Sequence, residues 1–270
     1  MSDSGFRTQE SAIYIFCLAR SDLLPAIEET GLDDQTPLSL WRFQNVTAVI
    51  GMVPIEEFCG PSAESRMQDL NWLGPLVCRH EAVIEYVMHH SPVFPARFGT
   101  LFSSIESLED FLKKHYGEIS RFLDKVTDKE EWAVKGLLNR ARAREEFLSV
   151  ILARQEKKLS SSPGMRYFQE QQIRAGVDKD LNCWLKSVCQ DIANDLRGYA
   201  SDFCKRKVLD RGVEGNETVL NWAFLVPRST IAEFRERIDR VNAKLAHQGM
   251  VFELSGQWPP YSFSPSLNDK

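Results

Sequence analysis

The stretch VLNWAFLVPRSTIAEFRERIDRVNAKLAHQGMVFEL, Val219 to Leu254, changes hydrophobic rhythm twice. Val219–Val226 is a short run of aliphatic and aromatic residues, the composition of a buried strand. From Ile231 the apolar residues Ile231, Phe234, Ile238, Val241 and Leu245 recur at steps of three and four, one face of an amphipathic helix. Thr230-x-x-Glu233 reads as a capping box at the start of that helix, and Gly249 is placed to stop it. Met250–Leu254 then reads as a second strand. A strand, a helix and a strand in immediate succession set the class of this half of the chain as α+β.

Upstream, Trp132–Leu138 reads as another strand. It leads into a charged helix, Asn139–Leu159, with Leu148, Ile151 and Leu152 facing inward. Ser160–Gly164 (SSSPG) is a break. A further helix is expected from about Asp180 to Lys207, with Leu181, Leu185, Val188, Ile192, Tyr199 and Phe203 on one stripe. Strand, helices, strand, helix, strand is the order of a split βαβ arrangement, with a helical insertion around 160–210.

The first half has elements of its own. Ser11–Ala19 is strand-like, and Leu38–Phe43 and Val46–Val53 fit a hairpin turning at Gln44-Asn45. Asn71–His90 places Leu76, Val77, His80, Val83, Ile84, Val87 and Met88 on one helical side. Pro92–Phe102 is extended, and Pro95 excludes it from the centre of a regular ladder. Ser103-x-x-Glu106 offers a capping box for a helix through Leu108, Phe111, Leu112, Ile119 and Phe122. Two α+β domains are expected, 1–125 and 126–270.

Of the 270 residues, 43% are hydrophobic and 26% charged, ordinary for a folded chain. The net charge of −5 is uneven: residues 1–95 hold five Arg, no Lys and thirteen acids, net −8. That argues against nucleic acid, which wants a basic face. The polar N-terminus MSDSGFRTQES has no secretory pattern, and the apolar run Ala12–Ala19 is too short for a bilayer, so the reading is cytoplasmic and non-membrane. Six cysteines, at 17, 59, 78, 183, 189 and 204, form no C-x-x-C pair and read as free, mostly buried thiols.

A search for chemistry finds no P-loop, dinucleotide fingerprint, nucleophile elbow or H-E-x-x-H. The G-x-x-G within Arg211–Asn216 reads as a loop. His89-His90 point to different sides of a helix, a poor metal pair. His80, on the apolar stripe, is either a functional group or a residue that caps a core edge or reaches solvent. Arg97, between apolar neighbours, reads as a partly buried guanidinium bonded to carbonyls or carboxylates; a catalytic or phosphate-binding Arg would leave the same trace. Finally, GQWPPYSFSP (Gly256–Pro265) cannot be helical at Pro259-Pro260. Its Trp258, Tyr261 and Phe263 must dock on the protein's own body or face a partner.

Several of these stretches together resemble the gas vesicle accessory family GvpF/GvpL. They are HEAVIEYVMHHSPVFPARFGTLF (His80–Phe102), EEWAVKGLL (Glu130–Leu138), the looser Gly164–Phe168 with Gln171, and LNWAFLVPR with SGQWPPYSF. Gln257 departs from the proline common before the Trp, and Phe94-Pro95-Ala96 varies the run before Arg97. The resemblance implies two α+β domains, the second a modified ferredoxin-like fold. It implies a non-enzymatic accessory or assembly protein, a minor component of gas vesicles in the cytoplasm. Such a protein would bind the small hydrophobic shell protein GvpA, prevent its aggregation during nucleation and contact other accessory proteins, without a cofactor. His80, Arg97, Phe98, Gly99, Thr100, Trp258, Pro259, Pro260, Tyr261 and Phe263 are the family-motif residues, structural or partner-binding. Trp258–Phe263 is expected to anchor across the second domain. The competing functions are a small-molecule-binding regulatory protein on a ferredoxin-like domain, and a hydrolase or transferase using Arg97 or a cysteine.

Overall fold

Strand β1 (Ser11–Arg20) is buried from Ala12 to Ala19, which explains its unbroken apolar sequence: both faces are covered. The computed structural model describes residues 11–60, 63–208 and 215–267. Residues 1–10, Pro61 and Arg211–Glu214, on which parts of the sequence reading fell, lie outside the described residues. The described chain gathers into two compact units, 1–128 with 258–270, and 129–257.

In the first unit, β1 pairs antiparallel with β3 (Val46–Pro54), which pairs antiparallel with β2 (Ser39–Phe43). On its other side β1 meets the short strands β4 (Val93–Pro95) and β5 (Leu101–Phe102), giving the order β2-β3-β1-β4. Pro95 therefore sits on an edge strand, where its missing N–H leaves no gap in the ladder. The β2–β3 turn works without glycine because Asn45 is held from outside. Gln44 takes φ +53°, Ser21 N–H donates to Asn45 O (3.0 Å), and the Tyr116 hydroxyl donates to Asn45 Oδ1 (2.5 Å).

Short helices α1 (Ile55–Phe58) and α2 (Ala63–Gln68) lead to α3 (Leu70–Met88), which buries His80, Val83, Ile84 and Val87 as the stripe predicts. Helix α4 (Ile105–Val126) begins one residue later than the Ser103-x-x-Glu106 pattern suggests. Its reciprocal cap joins Ser104 and Ser107, a second hydroxyl taking the place of the carboxylate.

In the second unit, β6 (Lys129–Leu138) is followed by α5 (Arg140–Gln155), α6 (Pro163–Arg197), β7 (Asp202–Lys205), β8 (Glu217–Pro227), α7 (Ile231–Leu245) and β9 (Met250–Trp258). The strand order is β7-β8-β6-β9, with β8 antiparallel to both β6 and β7. The helix expected over Asp180–Lys207 instead starts at Pro163, the favoured first position, and ends at Arg197 before Gly198. Tyr199 and Phe203 are off that helix. Phe203 lies on β7 opposite Phe224, ring centroids 4.9 Å apart, so an aromatic cross-strand pair wins over the helical period.

On α5 the residue that becomes fully buried is Ala143, while Leu148, Ile151 and Leu152 are only half-buried. Phe147 meets Trp184 of α6 with ring centroids 5.0 Å apart. Thr230 makes no cap; its hydroxyl donates to Tyr199 O (2.9 Å) and Pro227 O (3.1 Å). Gly249 does stop the helical stretch, at φ +78°. Leu181, Leu196, Phe224, Phe234, Ile238 and Met250 form the heart of this core. Glu131, buried beside it on β6, is ion-paired with Arg206.

Candidate functional site

The Arg97-Phe98-Gly99-Thr100 segment is a tight turn. Arg97 O accepts from Thr100 N–H (3.1 Å) and from Thr100 Oγ1 (2.7 Å), and Gly99 adopts φ +80°, where a side chain would be strained. The turn drives Phe98 inward, against Tyr14, His80 and Phe58 at centroid distances of 6.0, 5.7 and 6.2 Å. It turns Arg97 outward. The partly buried, bonded guanidinium expected from its apolar neighbours is not what forms: Arg97 is exposed, and its guanidinium has no partner among the described residues. The neighbours are buried because they belong to the edge strand and the turn, not because they enclose the charge.

His80 is fully buried. Gly99 N–H donates to the Tyr14 hydroxyl oxygen (3.2 Å), which leaves the Tyr14 proton to point at His80 Nδ1, 2.9 Å away. His80 Nε2 then carries the ring proton and donates to Ala96 O (3.1 Å). This neutral tautomer is assigned from the partners. Burial favours it too, pushing the imidazole pKa down to about 4. Phe16 stacks on the ring at 5.6 Å. Of the two readings of His80, the geometry is that of a satisfied polar hub in the core.

The C-terminal motif reaches the same hub. Pro259 and Pro260 are buried, and Tyr261–Phe263 makes a single 3-10 turn, with Tyr261 N–H bonded to Pro259 O (2.7 Å). The Tyr261 hydroxyl donates to Glu81 Oε1 (2.8 Å) and lies 3.3 Å from His80 Nε2. Burial raises the Glu81 carboxyl pKa. Lys125 Nζ stands 5.6 Å from the centre of the Phe263 ring. These contacts are with α3 and α4 of the first unit, not with the second domain where the segment was expected to anchor. Trp258, expected as a core anchor, is 43% exposed. The reason is chemical: a buried tyrosine hydroxyl needs an acceptor, and Glu81 supplies it.

Two members of the hub, Tyr14 and Glu81, were not singled out by sequence. The signal for Tyr14 was present, a polar tip in the middle of a fully apolar strand. Glu81 carried none, being one acid among many.

Beside the hub, a cavity of about 210 Å³ lies between β1, β4, α4 and the closing residues Ser264–Leu267. Arg97 and Thr100 from one motif and Tyr261 and Ser264 from the other all line it. Two stretches far apart in sequence thus converge on one place. Among the described residues there is no group of three or more His, Cys, Asp or Glu arranged to hold a metal. The cysteines are not mostly buried as expected: Cys59, Cys78 and Cys183 lie on exposed helix or loop positions, and of the six only Cys17 is buried, its thiol pKa raised by burial so that it is held protonated.

The family described as gas vesicle synthesis protein GvpL/GvpF matches residues 12–265. This chain belongs to that family. Among GvpL/GvpF relatives, gas vesicle protein L of a Streptomyces strain is 25% identical over 232 residues, 84% of this chain and 83% of its own. Gas vesicle protein F of Dolichospermum flosaquae is 22% identical over 93% of this chain and 97% of its own. The crystal structure of GvpF from Anabaena matches with a TM-score of 0.67 at 16% identity, covering 94% of this chain and 96% of that one. GvpF from Microcystis aeruginosa gives 0.66 at 14% identity, over 94% and 99%. These structures share the mixed helix-and-sheet fold. No helix among the described residues of this GvpL/GvpF chain is long and apolar enough to cross a membrane.

Proposed function

We propose that this chain is a non-enzymatic accessory protein of gas vesicle assembly. It binds the small hydrophobic shell protein GvpA, limits its aggregation during nucleation and meets other accessory proteins, in the cytoplasm and on the vesicle. The observation that carries the reading is an apolar surface at the start of α6. Met165, Tyr167 and Phe168 are 56%, 60% and 67% exposed, within about one turn of α6, and the Tyr167 and Phe168 rings are 6.0 Å apart. Three large apolar side chains left in water together mark an interaction site.

The two compact units are read as two domains, the second a modified ferredoxin-like fold. By position in the chain its strands run second, third, first, fourth, with β8 antiparallel to both neighbours, and this supports the reading. The pair α5–α6 then stands where that fold has a single crossover helix. The motif residues at Arg97–Thr100 and Trp258–Phe263 build the first domain's hub and cavity, with Arg97 and Trp258 left on the surface.

Co-expression with GvpA followed by size-exclusion chromatography tests the function. Co-elution at a defined ratio is expected, reduced when Met165, Tyr167 and Phe168 are all replaced by Ser. Precipitation of GvpA while this chain elutes alone would overturn the reading.

A further inference from the structure

We propose that the cavity beside Arg97 is a binding site for a small apolar monocarboxylate of the arylalkanoic or branched alkanoic type. This goes beyond the assembly reading and does not depend on it.

The walls define the apolar part. Ile15, Leu18, Phe94, Phe102 and Phe111 face the cavity. Its volume of about 210 Å³ exceeds the roughly 150 Å³ that admits benzene in an apolar protein cavity, leaving room for a ring and a short spacer.

Three of the four hydroxyls that line it, all but that of Ser266, are already committed. Thr100 Oγ1 donates to Arg97 O, Ser264 Oγ to Pro260 O, and Tyr261 to Glu81. Apart from Ser266, the lining therefore offers a ligand little polar binding, with one charged exception.

That exception is the Arg97 guanidinium. It is the sole charged side chain among the lining residues, and it has no partner among the described residues. Its planar fork matches a carboxylate in two parallel hydrogen bonds. An amine would meet like charge, and a phosphate would find one cation where it needs several donors. A neutral hydrocarbon would leave the guanidinium unused. The backbone fixes the fork's base, because Arg97 O is held twice by Thr100 within a turn closed by Gly99.

Isothermal titration of the full chain with 3-phenylpropanoate and its neutral amide tests this. The acid should bind saturably and about tenfold more tightly than the amide, the ratio a charge-assisted pair supplies at a part-open site. R97Q should erase that preference while leaving thermal unfolding unchanged. A96L, which adds bulk at the cavity wall, should weaken both ligands. The proposal is overturned if neither ligand binds, if acid and amide bind equally, or if the preference survives in R97Q.

Discussion

Tyr261 donates its hydroxyl proton to Glu81 Oε1 at 2.8 Å, joining residues 180 positions apart. The same hydroxyl lies 3.3 Å from His80 Nε2, so the closing motif is tied to the helix that carries the other motif's histidine. The hydroxyl thus adds a polar tie to a segment also held by buried Pro259 and Pro260 and by Lys125 over the Phe263 ring.

Tyr261→Phe should reveal that tie. It keeps the ring and removes the donor, leaving the half-buried Glu81 carboxylate unsatisfied. A loss of about 1–3 kcal/mol in urea unfolding is expected, with faster proteolysis after Pro260. A variant as stable and as resistant as the parent would show that the bond contributes nothing.

The pH dependence follows from His80. Its folded pKa, about 4, lies below the ordinary 6.5, so the unfolded chain binds the extra proton between those values. This group's contribution is full above pH 6.5 and is lost as the pH falls through 4, a span worth up to about 3 kcal/mol. Glu81 works in the opposite sense, its raised folded value favouring stability at lower pH and losing it as pH rises through that value. The direct readout is an NMR titration of the His80 ring. A midpoint near the ordinary value would refute the buried neutral imidazole.

Arg97 and Phe98 are neighbours with opposite fates. Phe98→Ala removes a ring packed on Tyr14, Phe58 and His80 and should cost about 2–4 kcal/mol, somewhat less than a fully buried Phe. Arg97→Ala should stay within about 0.5 kcal/mol, as for an exposed side chain. Equal destabilisation of the two would mean the turn is oriented differently.

Two glycines make a further contrast. At Gly249, φ is +78° and an added Cβ would sit 2.9 Å from Asn139 O, so Gly249→Ala should destabilise by about 1–3 kcal/mol. Gly176 lies within α6 with nothing within 4 Å of an added Cβ, and Gly176→Ala should stabilise by about 0.5–1 kcal/mol. Differential scanning calorimetry of both variants decides it, since shifts of the same sign would contradict the assignment.

Where a side chain's environment repeats along one element, the sequence was readable. The stripe on α3, the strand β8, the periodic face of α7 and the stop at Gly249 all follow from local pattern. Short or interrupted elements were not. β7 has four residues, and its Phe203 falls in phase with the preceding helix, so periodicity alone extended that helix too far. The helix cap at Ser104 was displaced by one residue because two serines compete for the position.

The candidate site divides the same way. Local sequence marked the Arg97–Thr100 turn and the Trp258–Phe263 segment, since glycine, consecutive prolines and clustered aromatics constrain the backbone on their own. It also set the α+β class through the alternation of periods. Only the tertiary structure decided that Phe98 faces in and Arg97 out, that Trp258 keeps 43% of its surface exposed, and that Tyr261 ends on Glu81 beside His80. Those outcomes depend on which buried donor finds which acceptor across distant parts of the chain, and a partner 180 residues away leaves no trace in the local pattern.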